Sequence, residues 1–160
     1  MPLTILSKPG LDPKTLPLDE KIDLIRESDG LLIDLLEGET INGNLHLTGC
    51  TSLTHLPNNL KWINGHLDLG GCISLTHLPN NLKWINGHLD LNRCTSLTYL
   101  PDNLEVKEWL DLAGCTSLVH LPNNLEVNEN LYLYGCISFK EIPKTIKVRG
   151  HIYQTPDHLK

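Results

Sequence analysis

Histidine and aspartate are the residues of this chain best suited to chemistry, and they recur in one phrase: His66-Leu67-Asp68, His88-Leu89-Asp90, and then Asp111 in Leu110-Asp111-Leu112. On neighbouring strands these phrases would bring imidazole nitrogens and carboxylate oxygens within reach of one another. That is the donor set of a metal site or of an acid–base pair. A plainer account competes with it. Each HLD is a copy of its neighbour, so duplication alone produces the pattern, and histidines interleaved with stacked aspartates relieve carboxylate repulsion without catalysis. No Ser/His/Asp set, Gly-rich phosphate loop or HExxH motif occurs in the sequence. The chain therefore reads as a non-enzyme, with no catalytic residue, metal or cofactor assigned.

Aromatic residues offer a different chemistry, that of recognition. Trp109, Tyr132, Tyr134 and Tyr153 fall late in the chain at positions that are His, Asp or small residues earlier. Exposed Trp and Tyr have no folding reason to gather on a solvated face, and they dominate interface hot spots. Cross-strand pairing alone is worth only about 0.2–1 kcal/mol a pair. The candidate partner-binding set is Trp109, Tyr132, Tyr134 and Tyr153, with His66, Asp68, His88, Asp90 and Asp111 in the middle of the same face and Arg93 beside them. The partner is expected to be another protein; a carbohydrate is the alternative, because aromatic ladders also stack on sugars. Trp62 and Trp84 are expected to stack at an edge. His55, His77, Tyr99 and His120 form a second ladder on the return side, read as surface filler.

These side chains are positioned by a repeat. INGNLHLTGCTSLTHLPNNLKW (41 to 62) is followed by copies at 63 to 84 and 85 to 106 and by looser ones at 107 to 127 and 128 to 148, and Cys50, Cys72, Cys94, Cys115 and Cys136 mark a period of 22 residues that shortens to 21. Self-similarity at such a period means a solenoid. The first half of each copy alternates polar and apolar, as a half-buried strand does, with Leu45/Leu47, Leu67/Leu69, Leu89/Leu91, Leu110/Leu112 and Leu131/Leu133 facing the core. Copies run the same way, so the strands form one parallel sheet. Three outward ladders result: Asn44, His66, His88, Trp109, Asn130, His151; then His46, Asp68, Asp90, Asp111, Tyr132, Tyr153; then Thr48, Gly70, Asn92, Ala113, Tyr134. The second half places a proline at 57, 79, 101, 122 and 143, which rules out a continuous helix and predicts an extended or turn-like return. The cysteines are expected to be reduced thiols packed in a column.

The pattern LxLxxCxSLxxLPxxL resembles the leucine-rich repeats, in particular the short bacterial kind with an LP in each repeat found in secreted effectors. It covers about two thirds of the chain, with cysteine where many members have asparagine. The resemblance implies a right-handed horseshoe with a concave parallel sheet, an extended or turn-like convex side and an N-terminal helical cap. It further implies a concave face that binds a protein, a host protein if the chain is translocated. The 160 residues hold no stretch after the repeats long enough for the ubiquitin-ligase domain that certain relatives append.

Outside the repeats, 1–40 is read as a proline-rich lead-in and cap, with a helix from Leu18 to Ser28 ended by Asp29-Gly30 and, before Gly38, a second short helix or else a strand over LLIDLL. Residues 149–160 are read as a partial sixth strand and a tail. A net charge of -6 argues against nucleic acid. No apolar run suits a membrane span or a secretory leader, so a bacterial cytosolic monomer is expected, translocated if at all without a cleavable peptide.

Overall fold

The computed structural model describes residues 10–156. Pro2 and Pro9 of the lead-in and the last four residues of the tail lie outside them.

Within 10–156 the chain begins with a 3-10 turn, Pro13–Thr15, and then helix α1, Leu18–Glu27. Asp19 and Glu20 stand in the first turn of α1 and Arg26 in the last, each beside the helix-dipole end that favours its charge. Leu24 and Ile25 are fully buried. The chain leaves α1 through left-handed Asp29 and Gly30 (φ 56° and 86°) and makes the second short helix as a 3-10 element, Ile33–Leu36. Ile25, Ile33 and Leu36 join one apolar cluster with the leucines of the repeats. The buried ammonium of Lys21 donates to Glu39 Oε1 at 2.5 Å, tying α1 to the segment that enters the first repeat.

The repeats wind as a parallel β-solenoid of about five turns. The first half of each copy supplies one strand of a six-stranded sheet: β1 (Leu45–His46), β3 (Leu67–Asp68), β5 (Leu89–Asp90), β7 (Leu110–Asp111), β9 (Leu131–Leu133) and β11 (Ile152–Gln154). Their order is sequential and every pairing is parallel, with Leu45 beside Leu67, Leu67 beside Leu89, Leu89 beside Leu110, Leu110 beside Leu131 and Leu131 beside Ile152. This is the register that the repeat spacing predicts.

The return half differs from the expectation of a merely extended or turn-like path. It forms a second parallel sheet of five strands: β2 (Trp62–Ile63), β4 (Trp84–Ile85), β6 (Glu105–Val106), β8 (Glu126–Val127) and β10 (Lys147–Val148). After the proline and the turn that follows it, the backbone is free to donate again. Lys83 N–H reaches Lys61 O at 2.8 Å and Lys107 N–H reaches Ile85 O at 3.0 Å. Strands β2, β4, β6 and β8 bury their second residue and expose their first more, and in β10 Val148 is half-buried, a two-residue alternation.

Pairing of Trp84 with Glu105 also shows which residue the shorter copies lose. The tryptophan position continues as Glu105, Glu126 and Lys147, so the missing residue is the one held by Lys61 and Lys83. Two of the three turns so shortened close through left-handed Asn103 and Asn124 (φ 58° and 56°), a conformation that asparagine tolerates better than most residues.

Between the sheets the leucines are almost all fully buried, and the five cysteines are buried free thiols. Four of them donate to the strand of the preceding turn: Cys72 Sγ to Leu47 O, Cys94 Sγ to Leu69 O, Cys115 Sγ to Leu91 O and Cys136 Sγ to Leu112 O, at 3.0 to 3.2 Å. Burial pushes the thiols of Cys72 and Cys94 up to about 12 and that of Cys136 up to about 11, with Cys50 and Cys115 raised for the same reason. Among the described residues, no helix is long and apolar enough to cross a membrane.

Candidate functional site

The outward side of the six-stranded sheet collects most of the residues singled out for chemistry, and the side chains divide into two groups. The ladder that precedes the first core leucine is held by a simple device: a side-chain acceptor of one turn takes the backbone N–H of the next. Asn44 Oδ1 accepts from His66 N–H at 2.8 Å, and Asn130 Oδ1 accepts from His151 N–H at 2.9 Å. His66 Nδ1 does the same for His88 N–H, at 3.2 Å. Gly87 has to be glycine beside it, since a Cβ there would lie 2.2 Å from His66 Nδ1.

The rings of this ladder form a continuous stack. His66 and His88 lie 4.0 Å apart at 14°, and His88 and Trp109 lie 4.0 Å apart at 7°. Trp109 therefore belongs to the histidines and not to the tyrosines. In the second ladder, Asp68 bridges two histidines: Oδ1 meets His88 Nε2 at 2.6 Å, and Oδ2 meets His46 Nδ1. Asp90 and Asp111 turn away to their own backbone, accepting from Asn92 N–H and Ala113 N–H at 2.8 Å each. Burial raises the Asp90 carboxyl above its ordinary value, more than the Asn92 bond lowers it, and the neighbouring Asp111 and Asp68 push the same way.

Sequence reasoning passed over Glu108. It stands where Gly65 and Gly87 stand in earlier turns, so the ladders drawn between the leucines did not include it. Its Oε2 lies 3.6 Å from His66 Nδ1 and 3.6 Å from His88 Nδ1. The signal was present in the sequence, a carboxylate that replaces a glycine in the fourth copy.

Tyr132, Tyr134 and Tyr153 make the second group. Tyr132 stacks on Tyr153 at 5.2 Å and 8°, and Tyr134 meets Tyr153 at 6.2 Å and 31°. Tyr132 Oη accepts from Asn130 Nδ2 at 3.2 Å. Tyr134 and Tyr153 remain 47% and 36% exposed, with Ile152 at 39% beside them. Arg93 sits apart, exposed on the turn that follows β5, with φ 60° where Gly49, Gly71, Gly114 and Gly135 take φ of 71° to 76°.

On the other sheet Trp62 and Trp84 are paired in register and half exposed. Among the described residues no ring contact joins them; Lys107 Nζ lies 5.1 Å over the Trp84 ring instead. A shallow groove of about 450 Å³ runs between them, lined also by Lys61, Asn64, Asn81 and Lys83. On the return path His77 stacks on Tyr99 at 5.4 Å.

The fold defines the protein as a parallel β-solenoid with two sheets. No family model matches the chain, and neither a curated protein nor a solved structure matches it.

Proposed function

We propose that this protein is a non-enzymatic interaction module that docks another protein on the face of its six-stranded sheet. The observation that supports the reading is the grouping of Tyr132, Tyr134 and Tyr153, with Tyr132 stacked on Tyr153 and with Tyr134 and Tyr153 open to solvent. Their rings are held before any partner arrives, so little side-chain entropy is left to lose on docking. Trp109, His66, Asp68, His88, Asp90 and Asp111 extend the same face toward its middle, and Arg93 borders it.

In finer detail the repeat pattern favours a leucine-rich-repeat protein of the short bacterial type, its strands lining a concave face and α1 with its 3-10 companion capping the first turn. An effector acting on a host protein is the role that this resemblance suggests.

Partner capture followed by titration tests the reading. A Tyr132→Ala, Tyr134→Ala, Tyr153→Ala variant that keeps the wild-type circular dichroism is expected to lose roughly 30-fold or more in affinity, as hot-spot tyrosines do. Undiminished binding by the folded variant would sink the proposal. A glycan array run in parallel separates a protein partner from a sugar.

A further inference from the structure

We infer that His66, His88 and Glu108 form a transition-metal site, of zinc type, with Asp68 orienting His88. The inference rests on which ring nitrogens carry a lone pair and on the carboxylate beside them. Asp68 Oδ1 lies 2.6 Å from His88 Nε2, so that nitrogen carries the proton and donates it to the carboxylate. The tautomer this fixes leaves a lone pair on His88 Nδ1. His66 Nδ1 also carries a lone pair, because it accepts the His88 backbone N–H. Both nitrogens face Glu108 Oε2 at 3.6 Å. Two imidazole nitrogens and a carboxylate oxygen thus gather at one place, and because the two rings are stacked at 14°, joint ligation needs them to tilt toward each other. All three ligand atoms fall within 4.8 Å of one another.

A bound cation relieves the repulsion between these groups, and the two histidine–carboxylate distances suit one. Tetrahedral ligation at about 2.0–2.2 Å requires donor atoms about 3.3–3.6 Å apart, close to the two histidine–carboxylate distances of 3.6 Å. Two imidazoles and one carboxylate are ligands that zinc accepts, and the carboxylate–histidine pairing of Asp68 with His88 is the support that metal-bound histidines commonly have. The competing bond is weak. His66 Nδ1 takes the next turn's N–H at 3.2 Å, whereas Asn44 and Asn130 take theirs at 2.8 and 2.9 Å, so His66 gives up least by turning its lone pair to a metal. The side chains of His66, His88 and Glu108 are 33%, 18% and 39% exposed, leaving one side of the site open for a fourth ligand from solvent.

The site does not depend on the tyrosine group, and its test is separate. Isothermal titration of the whole chain with zinc(II), at neutral pH in a buffer that does not chelate, is expected to show one ion bound per chain. Cobalt(II) in its place is expected to give visible d–d absorption of tetrahedral intensity. His88→Ala, His66→Ala and Glu108→Gln each lower affinity more than tenfold. Asp68→Asn lowers it about 10–100-fold, the range for partners that orient a ligand. His120→Ala, elsewhere on the surface, leaves it unchanged. The Glu108→Gln change replaces a partly exposed carboxylate by its neutral isostere, so circular dichroism can establish that this variant is folded. Absence of saturable binding overturns the inference. So does binding that survives Glu108→Gln and His88→Ala, or a His88 that holds a second proton between Asp68 and Glu108 and excludes zinc at neutral pH.

Discussion

At the scale of single residues, the three aspartates of the HLD phrase show how identical sequence acquires different chemistry. Asp68 is spent on two histidines, while Asp90 is half-buried and answers only to Asn92 N–H. Its carboxyl is raised above 3.8, so ionisation of Asp90 disfavours folding. For an acid shifted in this direction, stability falls as pH rises from the unfolded value through the folded one, and the loss persists at neutral pH. Asp90→Asn keeps an oxygen for Asn92 and removes the charge. We expect it to raise the melting temperature at about pH 7 by a small amount, and to lose most of that advantage at about pH 3.5, below the carboxyl's unfolded value. An unchanged or lowered melting temperature at neutral pH would contradict the burial argument. The Asp68 and Asp90 environments could not be told apart in the sequence, because the difference lies in His46 and His88, which come from the turns on either side.

Individual elements were legible in proportion to their length and periodicity. The strands of the six-stranded sheet could be read from alternating leucines, and α1 from Leu18, Ile22 and Ile25. The second sheet could not, because strands such as Trp62–Ile63 are two residues long and two residues show no period. Their identity as strands is a property of the stack, arising only when the next turn supplies an acceptor. Glu108 escaped for a related reason, since its neighbours His66 and His88 belong to other turns. The turn after each strand of the first sheet illustrates how far a copy may drift. Four copies use glycine at φ of 71° to 76° and the third uses Arg93 at 60°. A non-glycine residue there costs about 1–2 kcal/mol, partly offset by the entropy glycine loses on folding. Arg93→Gly is therefore expected to stabilise the protein by about 0.5–1 kcal/mol, read as a shift in the urea midpoint with the slope unchanged. A fall in the midpoint would mean that the arginine side chain gives more than its backbone costs.

At the scale of the whole molecule, each turn touches chiefly the turns before and after it, and stability becomes a sum over repeats and their interfaces. Residues 41–62 and 63–84 carry nearly the same sentence, so the second can be excised with the leucine and isoleucine registers of both sheets intact. We expect the shortened chain to fold cooperatively with a lower melting temperature. With His66 removed, Asn44 would stand before His88, and zinc affinity should fall while binding at the tyrosine end persists. Failure of the excised chain to fold would show that the turns are not interchangeable.

The hydrogen bonds that join the turns, such as Leu45 N–H to His66 O at 2.8 Å and Leu67 N–H to His88 O at 3.0 Å, all run along the direction in which turns are stacked. A force that draws the two ends apart loads them lengthwise and in succession, so the molecule peels instead of shearing. Each turn released converts a rise of about 4.8 Å into roughly 70 Å of slack chain. Mechanically the protein is a reel, able to pay out length in nearly equal instalments while the turns still wound keep their registers.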